Sequence, residues 1–281
     1  MILRKTLAGL VALTVLILAC GGSATTSIPS PTSTPPSVSG PILEPTATPI
    51  PPTPVPTPAP PAEAQEHFDA GDELQKEKKD GEAIAEFNQA IELYPEYAVA
   101  YNRRGAAYFF LGQFERAIQD YDQAILLDKN FAKAFNNRGS AYLKLGETER
   151  AIEDYNQAIL LDVDYGDAYN NRGAANYRIG QFARAESDFE DAIMLNYEDA
   201  GAYLNRGLAR IELEQFRHAI EDFNQAISLD RDYADAYASR GLAFTRQGRD
   251  ADAEQDLDRA AELGLDRALL EQLAEGLRQL R

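Results

Sequence analysis

The chain has 281 residues, of which 45 are acidic and 27 are basic, giving a formal net charge of −18 at pH 7. A chain this acidic repels phosphate backbones, so the sequence predicts no nucleic-acid partner. One cysteine and two histidines exclude an intramolecular disulfide, multi-cysteine zinc sites and histidine-based metal clusters. We therefore expect no metal and no cofactor.

Residues 1–19 have the character of an export signal. Two basic residues precede an apolar run over residues 7–19, and this run is shorter than the about 20 residues that span a bilayer. It ends in Ile17-Leu18-Ala19-Cys20, which resembles the lipobox of bacterial lipoproteins. That resemblance implies cleavage before Cys20, acylation of its sulfur, and an exported protein anchored by lipid on the extracytoplasmic face of a bacterial membrane. An ordinary signal peptide with an incidental cysteine is the alternative.

Residues 20–62 are predicted to be the lipidated cysteine followed by a disordered linker rich in proline, threonine and serine. Fourteen of the fifteen prolines lie between residues 23 and 62, and such a composition cannot bury a core. We expect a semi-rigid polyproline II spacer of about 3.1 Å per residue that holds the next domain away from the membrane. A proline-rich ligand for an aromatic groove is the alternative.

A unit of 34 residues repeats through the rest of the chain, from residue 63 to residue 265. Each unit has two amphipathic helical patterns around a break; in the second unit these run from Ala98 to Leu111 and from Glu115 to Asp128, with Gly112 ending the first. A strict period of this length predicts stacked helix pairs that bury their apolar faces against neighbouring units. The six units start near Ala64, Ala98, Ala132, Gly166, Ala200 and Ala234.

Aromatic, small and alanine residues occupy fixed places in each unit and resemble the tetratricopeptide repeat (TPR) family. The third unit shows this pattern with Phe135, Gly139, Tyr142, Ala151, Tyr155 and Ala158. The resemblance implies an all-α, right-handed superhelical solenoid of six helix-turn-helix repeats over residues 63–265. The last 16 residues, 266–281, are predicted to form a capping helix whose Leu269, Leu273, Leu277 and Leu280 cover the final apolar face. Asn176 and Arg210 depart from the pattern, because each replaces an aromatic residue of the first helix.

An arginine and an aspartate appear together in the last five units, and the first unit lacks both. A charge between packed helices is tolerated only when it is paired, and arginine can pair with a carboxylate through two hydrogen bonds. The pattern therefore predicts a structural ion pair between the two helices of each unit. A row of arginines that binds anions is the alternative. The five predicted pairs are Arg104–Asp120, Arg138–Asp154, Arg172–Asp188, Arg206–Asp222 and Arg240–Asp256.

The first helices of successive units line the concave side in this family, so the resemblance implies a peptide-binding groove there. A carboxamide side chain offers both a donor and an acceptor to the backbone of an extended peptide. Scattered basic residues, such as Lys133 and Arg246, weakly favour an acidic peptide. The alternative is that the asparagines only cap and solvate a helix face. The candidate groove residues are Asn102, Arg103, Asn136, Asn137, Lys144, Asn170, Asn171, Tyr177, Arg178 and Asn205.

These observations favour a membrane-anchored scaffold of the cell envelope that binds a protein or peptide, and not an enzyme. His67 and His218 have no nucleophile at a recognisable spacing, and the sequence contains no glycine-rich phosphate loop. One alternative is a structural envelope protein that assembles with itself through the ends of its repeats. An envelope hydrolase is a more distant alternative.

Overall fold

A computed structural model of the chain describes residues 59–280. Within this range the regular structure is entirely helical, which confirms the all-α solenoid of six helix pairs and a C-terminal helix. The predicted signal, Cys20 and the linker up to residue 58 lie outside the described residues. The thirteen helices of the described range are α1 (Ala62–Lys76), α2 (Asp80–Leu93), α3 (Ala98–Phe110), α4 (Phe114–Leu127), α5 (Ala132–Leu145), α6 (Thr148–Leu161), α7 (Gly166–Arg178), α8 (Phe182–Leu195), α9 (Ala200–Glu212), α10 (Phe216–Leu229), α11 (Ala234–Gln247), α12 (Asp250–Glu262) and α13 (Arg267–Arg278).

The break between the two helices of a unit depends on one residue in the left-handed region. Gly112 has φ +73° and Gly146 has φ +82°, a conformation that costs glycine little because it has no Cβ. In the first and fifth units Lys78 and Glu214 adopt the same conformation at φ +60° and +59°. The turn is therefore kept even where its glycine is missing.

Each helix pair packs an aromatic or leucine side chain of the second helix against a glycine of the first. A Cβ on Gly105 would lie 2.7 Å from Cε1 of Tyr121, whose side chain is almost fully buried. Only glycine therefore allows the helices to approach this closely. The large residues at this place in the six units are Phe87, Tyr121, Tyr155, Phe189, Phe223 and Leu257.

Neighbouring units stack through several helix contacts. Each second helix packs against the first helix of the following unit, as α4 does against α5. The first helices of adjacent units also approach each other directly, as α3 and α5 do. This arrangement places the first helices along the inner side of the solenoid.

The capping helix α13 closes the C-terminal end with three of the four predicted leucines, and the fourth is turned outward. It packs against α11 and α12 and buries Leu270, Ala274 and Leu277, whereas Leu269 is 45% exposed. Asp266 fixes the helix start by accepting hydrogen bonds from the amides of residues 268 and 269. Leu273 and Leu280 are partly buried against the same apolar cluster as Leu277, and Leu270 takes the buried place that was expected of Leu269.

Candidate functional site

The structure brings each of the five predicted arginine–aspartate pairs together. Nε and Nη2 of Arg138 donate to the two carboxylate oxygens of Asp154 at 2.8 and 2.7 Å. Arg104 makes the same two bonds to Asp120 at 2.8 and 2.7 Å. The aspartates of all five pairs are buried. These charge-assisted contacts tie the first helix of each unit to its second helix.

The same arginines reach into the preceding unit, which the sequence analysis did not predict. Nη1 of Arg138 donates to Asp122 of the second unit at 2.6 Å, and Nη1 of Arg104 donates to Asn88 of the first unit at 2.6 Å. Arg172 and Arg240 make equivalent bonds to Asn156 and Asn224. Each of these arginines therefore joins three helices.

Aromatic rings complete the surroundings of the arginines. The guanidinium of Arg138 lies 5.4 Å from the ring centroid of Phe135, one helical turn earlier, and Arg172 lies 5.4 Å from the ring of Tyr169. A cation over an aromatic face is attracted by the ring electrons. Since carboxylates, amides and rings already surround the guanidinium groups, this geometry favours the structural interpretation over a row of anion-binding arginines.

Both departures from the aromatic pattern serve these ion pairs. Nδ2 of Asn176 donates to Asp188 at 2.8 Å, so that aspartate has a second partner beside Arg172. Arg210 donates through Nη1 to Asp222 and through Nε to Glu186, each at 2.8 Å. Polar residues thus replace the aromatic ring where they extend the buried network.

Burial makes the ion pairs sensitive to the loss of a partner. Desolvation raises the pKa of Asp154, while the hydrogen bonds and charge of Arg138 act in the opposite direction. For Arg138, burial lowers the pKa, but the hydrogen bonds to Asp154 and Asp122 outweigh this effect and raise it. A carboxylate left alone in this place would therefore be strongly unfavourable.

The predicted asparagines form a hydrogen-bonded ladder along the inner side. Nδ2 of Asn137 donates to Oδ1 of Asn102 at 3.0 Å, across the boundary between two units. Asn171 donates to Asn136 at 2.9 Å, and Asn205 donates to Asn170 at 3.1 Å. Asn102 and Asn136 are only 2% and 6% exposed. The ladder therefore stabilises the contact between neighbouring first helices, besides providing polar groups.

The other predicted groove residues differ in burial and in whether they already have a partner within the protein. Tyr177 is buried, and its hydroxyl donates to Glu212 at 3.2 Å. Nη1 of Arg178 donates to the backbone oxygen of Leu143 at 3.2 Å. Arg103 forms an ion pair with Asp72, with Nε 3.0 Å from Oδ1. Lys144 and Arg178 are both exposed, and Lys144 forms no salt bridge with another described residue.

Acidic groups balance the basic residues that were expected to favour an acidic peptide. Asp167, on the first helix of the fourth unit, has a raised pKa because of burial and of the nearby charge of Asp199. Asp235 holds the equivalent place in the sixth unit, and burial raises its pKa too. Arg246 lies 5.4 Å from the ring of Phe216. The inner side is therefore mixed in charge.

The asparagine ladder ends between the fifth and sixth units. Leu204 and Ser239 occupy the places that asparagines hold in the preceding units. Ser239 is 4% exposed, and its hydroxyl has no hydrogen-bond partner among the described residues. The polar ladder is replaced here by an apolar contact with one unsatisfied hydroxyl.

The first unit has Ala70 at the place of the arginine, and a histidine one helical turn earlier makes the contact between its helices. Nδ1 of His67 lies 2.7 Å from Oε2 of Glu86, which stands at the place of the paired aspartates. This contact again joins the two helices of the unit. Over residues 59–280, no cluster of side chains suited to a metal ion is found. No helix in the same range has the length and hydrophobicity to cross a membrane.

Comparisons with known proteins agree with this geometry. The family described as "TPR repeat" matches residues 71–112, 105–146, 139–180 and 207–248, and the family described as "Tetratricopeptide repeat" matches residues 166–199. These matches cover more than half of the chain. No curated protein sequence matches the chain at a significant level.

Solved structures of TPR proteins share the fold. MamA is 30% identical to this chain, with a TM-score of 0.53, and the match covers 57% of this chain and 93% of MamA. YrrB, described as "a TPR protein with an unusual peptide-binding site", is 24% identical, with a TM-score of 0.56 and coverage of 66% and 96%. The protein pilF of Pseudomonas aeruginosa is 16% identical, with a TM-score of 0.67 and coverage of 75% and 96%.

Proposed function

This chain belongs to the tetratricopeptide repeat family, and from that premise we propose that its inner side binds an extended segment of a protein partner. The observation that carries the proposal is the asparagine ladder, which places carboxamides at a regular interval along the inner side. Each donor amide uses one N–H in the ladder, while its second N–H and its oxygen remain as hydrogen-bonding groups. A peptide backbone offers complementary groups at regular spacing.

Side chains around the ladder add selectivity to this surface. Lys144 is exposed in the third unit, and the exposed Asp167 and the half-buried Asp235 lie further along the inner side. A partner segment with an acidic residue near Lys144 and basic residues near the two aspartates would match this order of charges. The proposed ligand therefore carries both charges and is not uniformly acidic.

We also propose that the protein works in a bacterial cell envelope, anchored through acyl chains on Cys20. Support comes from the sequence: an apolar run ends at Cys20, and a proline-rich linker separates it from the solenoid. Each buried CH₂ of an acyl chain contributes about 0.8 kcal/mol of membrane affinity, so two or three chains hold a protein firmly. A Cys20→Ala variant should lose the labelled fatty acid that wild type incorporates; equal labelling of the two proteins would contradict lipid anchoring.

A charge-reversal pair tests the inner side without breaking the ladder. Lys144→Glu reverses an exposed inner-side charge, and Arg217→Glu makes the same change on the exposed surface of α10, a second helix. Partners captured from solubilised envelopes are compared by quantitative mass spectrometry. The proposal expects Lys144→Glu to lose partners that wild type and Arg217→Glu retain. Identical capture by all three proteins would contradict binding on this side.

A further inference from the structure

Five large apolar side chains are exposed together on one edge of the solenoid, away from the asparagine ladder. Leu126, Leu160 and Met194 are 65%, 73% and 71% exposed, and they stand 34 residues apart on the last turns of α4, α6 and α8. Val163 and Tyr197 are 66% and 69% exposed and follow α6 and α8. Because the repeat places equivalent residues in a row, these five side chains form a single edge patch.

The fold itself does not need apolar residues at these places. The residues equivalent to Leu126, Leu160 and Met194 are Glu92 in the first unit and Ser228 in the fifth. Both are exposed, as expected for an edge in contact with water. A contiguous exposed apolar patch with polar surroundings marks an interaction site. The central units therefore carry a surface that the terminal units lack.

Carboxylates without basic partners surround the edge patch. Asp128, Asp162, Asp164 and Glu198 are all exposed, and none of them forms a salt bridge with another described residue. Lys129 is the basic residue of the same loops, 128–131, 162–165 and 196–199. An apolar row between negative charges complements a segment that has an apolar face flanked by basic residues.

We propose that the edge patch binds a basic amphipathic helix of a protein partner. Helices in direct contact lie about 10 Å apart, and a first helix packs between successive second helices, so a row across three units spans more than about 20 Å. An α-helix rises about 1.5 Å per residue, so a partner helix of more than about 14 residues covers this length. This surface is distinct from the inner side, so it would hold a second partner while the first is bound.

A defined peptide pair and a charge-neutral variant test this proposal. The probe is an 18-residue helical peptide of leucine and lysine, with its leucines on one face, and the control peptide has glutamate in place of lysine. The variant Leu126→Ser/Leu160→Ser/Met194→Ser copies Ser228 and leaves the net charge unchanged. Fluorescence anisotropy with the full chain should show at least tenfold weaker binding of the basic peptide to this variant. The acidic peptide should not bind wild type.

A second variant keeps the test decisive if the serine variant folds poorly in circular dichroism. Asp128→Asn, Asp162→Asn, Asp164→Asn and Glu198→Gln together keep the apolar side chains and remove the charges, and they should also weaken binding at least tenfold. The matched control removes four exposed negative charges outside the edge patch and should bind the peptide as wild type does; it carries Glu66→Gln, Glu115→Gln, Glu149→Gln and Glu221→Gln. Equal affinity of wild type and both edge variants would overturn the proposal, because only the general negative charge would then attract the peptide.

Crosslinking and oligomeric state distinguish the proposed helix from two other occupants of the edge patch, the N-terminal segment of the chain and a second copy of the protein. A photoreactive residue in place of Leu160 should crosslink to the basic peptide. Crosslinking of this residue to residues 1–58 of its own chain, with no capture of the peptide, would assign the patch to the N-terminal segment. A wild-type dimer that the serine variant converts to a monomer would assign it to a second copy. Either result would overturn the proposal.

Discussion

Arg138 holds Asp154 through two hydrogen bonds of 2.8 and 2.7 Å, and its remaining Nη1 group reaches Asp122 of the preceding unit at 2.6 Å. One side chain thus closes its own helix pair and fastens that pair to the previous one. The arrangement recurs through the array with small changes in the acceptor. In a solenoid, stability comes from contacts within units and between nearest neighbours, and this arginine contributes to both.

Removing Arg138 should therefore destabilise the protein more than removing Arg172. Arg138→Leu leaves Asp154 buried without its partner, and we expect a loss of roughly 3 kcal/mol in the free energy of unfolding. Arg172→Leu should cost less, because Asn176 still donates a hydrogen bond to Asp188. Urea unfolding followed by circular dichroism measures both changes.

The double variant Arg138→Leu/Asp154→Leu tests whether the loss in Arg138→Leu comes from leaving Asp154 buried without a partner. Replacing both partners with apolar groups is often nearly neutral, so this double variant should recover most of the stability lost in Arg138→Leu. Equal losses in Arg138→Leu and Arg172→Leu, or no recovery in the double variant, would contradict this account of the network.

The ladder should contribute to stability as well as to binding. Asn171→Ala removes the donor to Asn136, whose oxygen then remains buried without a partner, and we expect a loss of about 1–3 kcal/mol. Asn136→Leu/Asn171→Ser copies the Leu204–Ser239 contact and should cost less than Asn171→Ala. Chemical unfolding compares the two variants; a larger loss in the double variant would refute the ladder's proposed contribution.

Removing the unsatisfied hydroxyl of Ser239 should stabilise the protein, whereas removing a ladder asparagine should destabilise it. Ser239→Ala removes a buried polar atom that has no described partner, so the free energy of unfolding should rise by about 1 kcal/mol. Ser140 is the matched control, because its hydroxyl contacts the backbone oxygen of Asn136 and the hydroxyl of Tyr155. Ser140→Ala should therefore destabilise the protein by a similar amount. Destabilisation by Ser239→Ala would show that its hydroxyl is satisfied in solution.

Two glycines with different amounts of space around their Cα atoms test the helix packing. A Cβ on Gly173 would lie 2.7 Å from Cε1 of Phe189, whereas a Cβ on Gly166 would meet Cβ of Leu195 at 3.5 Å. Gly173→Ala should lower the free energy of unfolding by about 1–3 kcal/mol through overpacking. Gly166→Ala should leave it unchanged or raise it by up to about 1 kcal/mol through helix propensity. Similar thermal stability of the two variants would contradict the close contact.

The pH dependence of stability should have opposite signs at Asp235 and Glu271. Burial raises the pKa of Asp235, so its stabilising contribution is present below its unfolded pKa, near 3.8, and is lost as pH rises through the folded value. Hydrogen bonds from Arg278 and Arg267 lower the pKa of Glu271. Its contribution is therefore present above the unfolded value, near 4.5, and is lost as pH falls through the folded one.

Neutral variants make this difference measurable. At pH 7 Asp235→Asn should be more stable than wild type, and Glu271→Gln should be less stable. Both differences should shrink as the carboxyl groups become protonated in the folded and unfolded states. Urea unfolding at pH 7 and near pH 3 measures the change in the free energy of unfolding of each variant relative to wild type. If both variants were more stable than wild type at pH 7, or both less stable, the assigned environments would be contradicted.

Much of the fold could be predicted from the 34-residue period, because each unit repeats the same local rules. Gly112 marked the end of a helix in the sequence, and it has φ +73° in the structure. For the capping helix, the predicted Leu273, Leu277 and Leu280 contact the apolar cluster, but Leu269 was predicted wrongly. Leu269 and Leu270 are adjacent in the sequence, and only the packing against α11 and α12 shows that Leu270 is the buried one.

The candidate site was less accessible to sequence reasoning, because its contacts cross unit boundaries. The arginine and aspartate within one unit could be paired from their joint occurrence. The contact of Arg138 with Asp122 of the preceding unit was missed, although acceptors recur at the place of Asp122 in the first five units. The edge patch was missed for another reason: Leu160 and Met194 belong to apolar helical patterns, and only the structure shows them exposed.

The most direct test of the central claim is a site-resolved crosslinking experiment in intact cells. A photoreactive amino acid replaces Lys144 on the inner side in one protein and Arg217 on α10 in another, and the products are mapped by mass spectrometry. The account predicts that position 144 crosslinks to one extended segment of a protein partner and that position 217 does not. Crosslinks to that partner from position 217 but not from position 144 would contradict binding on the inner side.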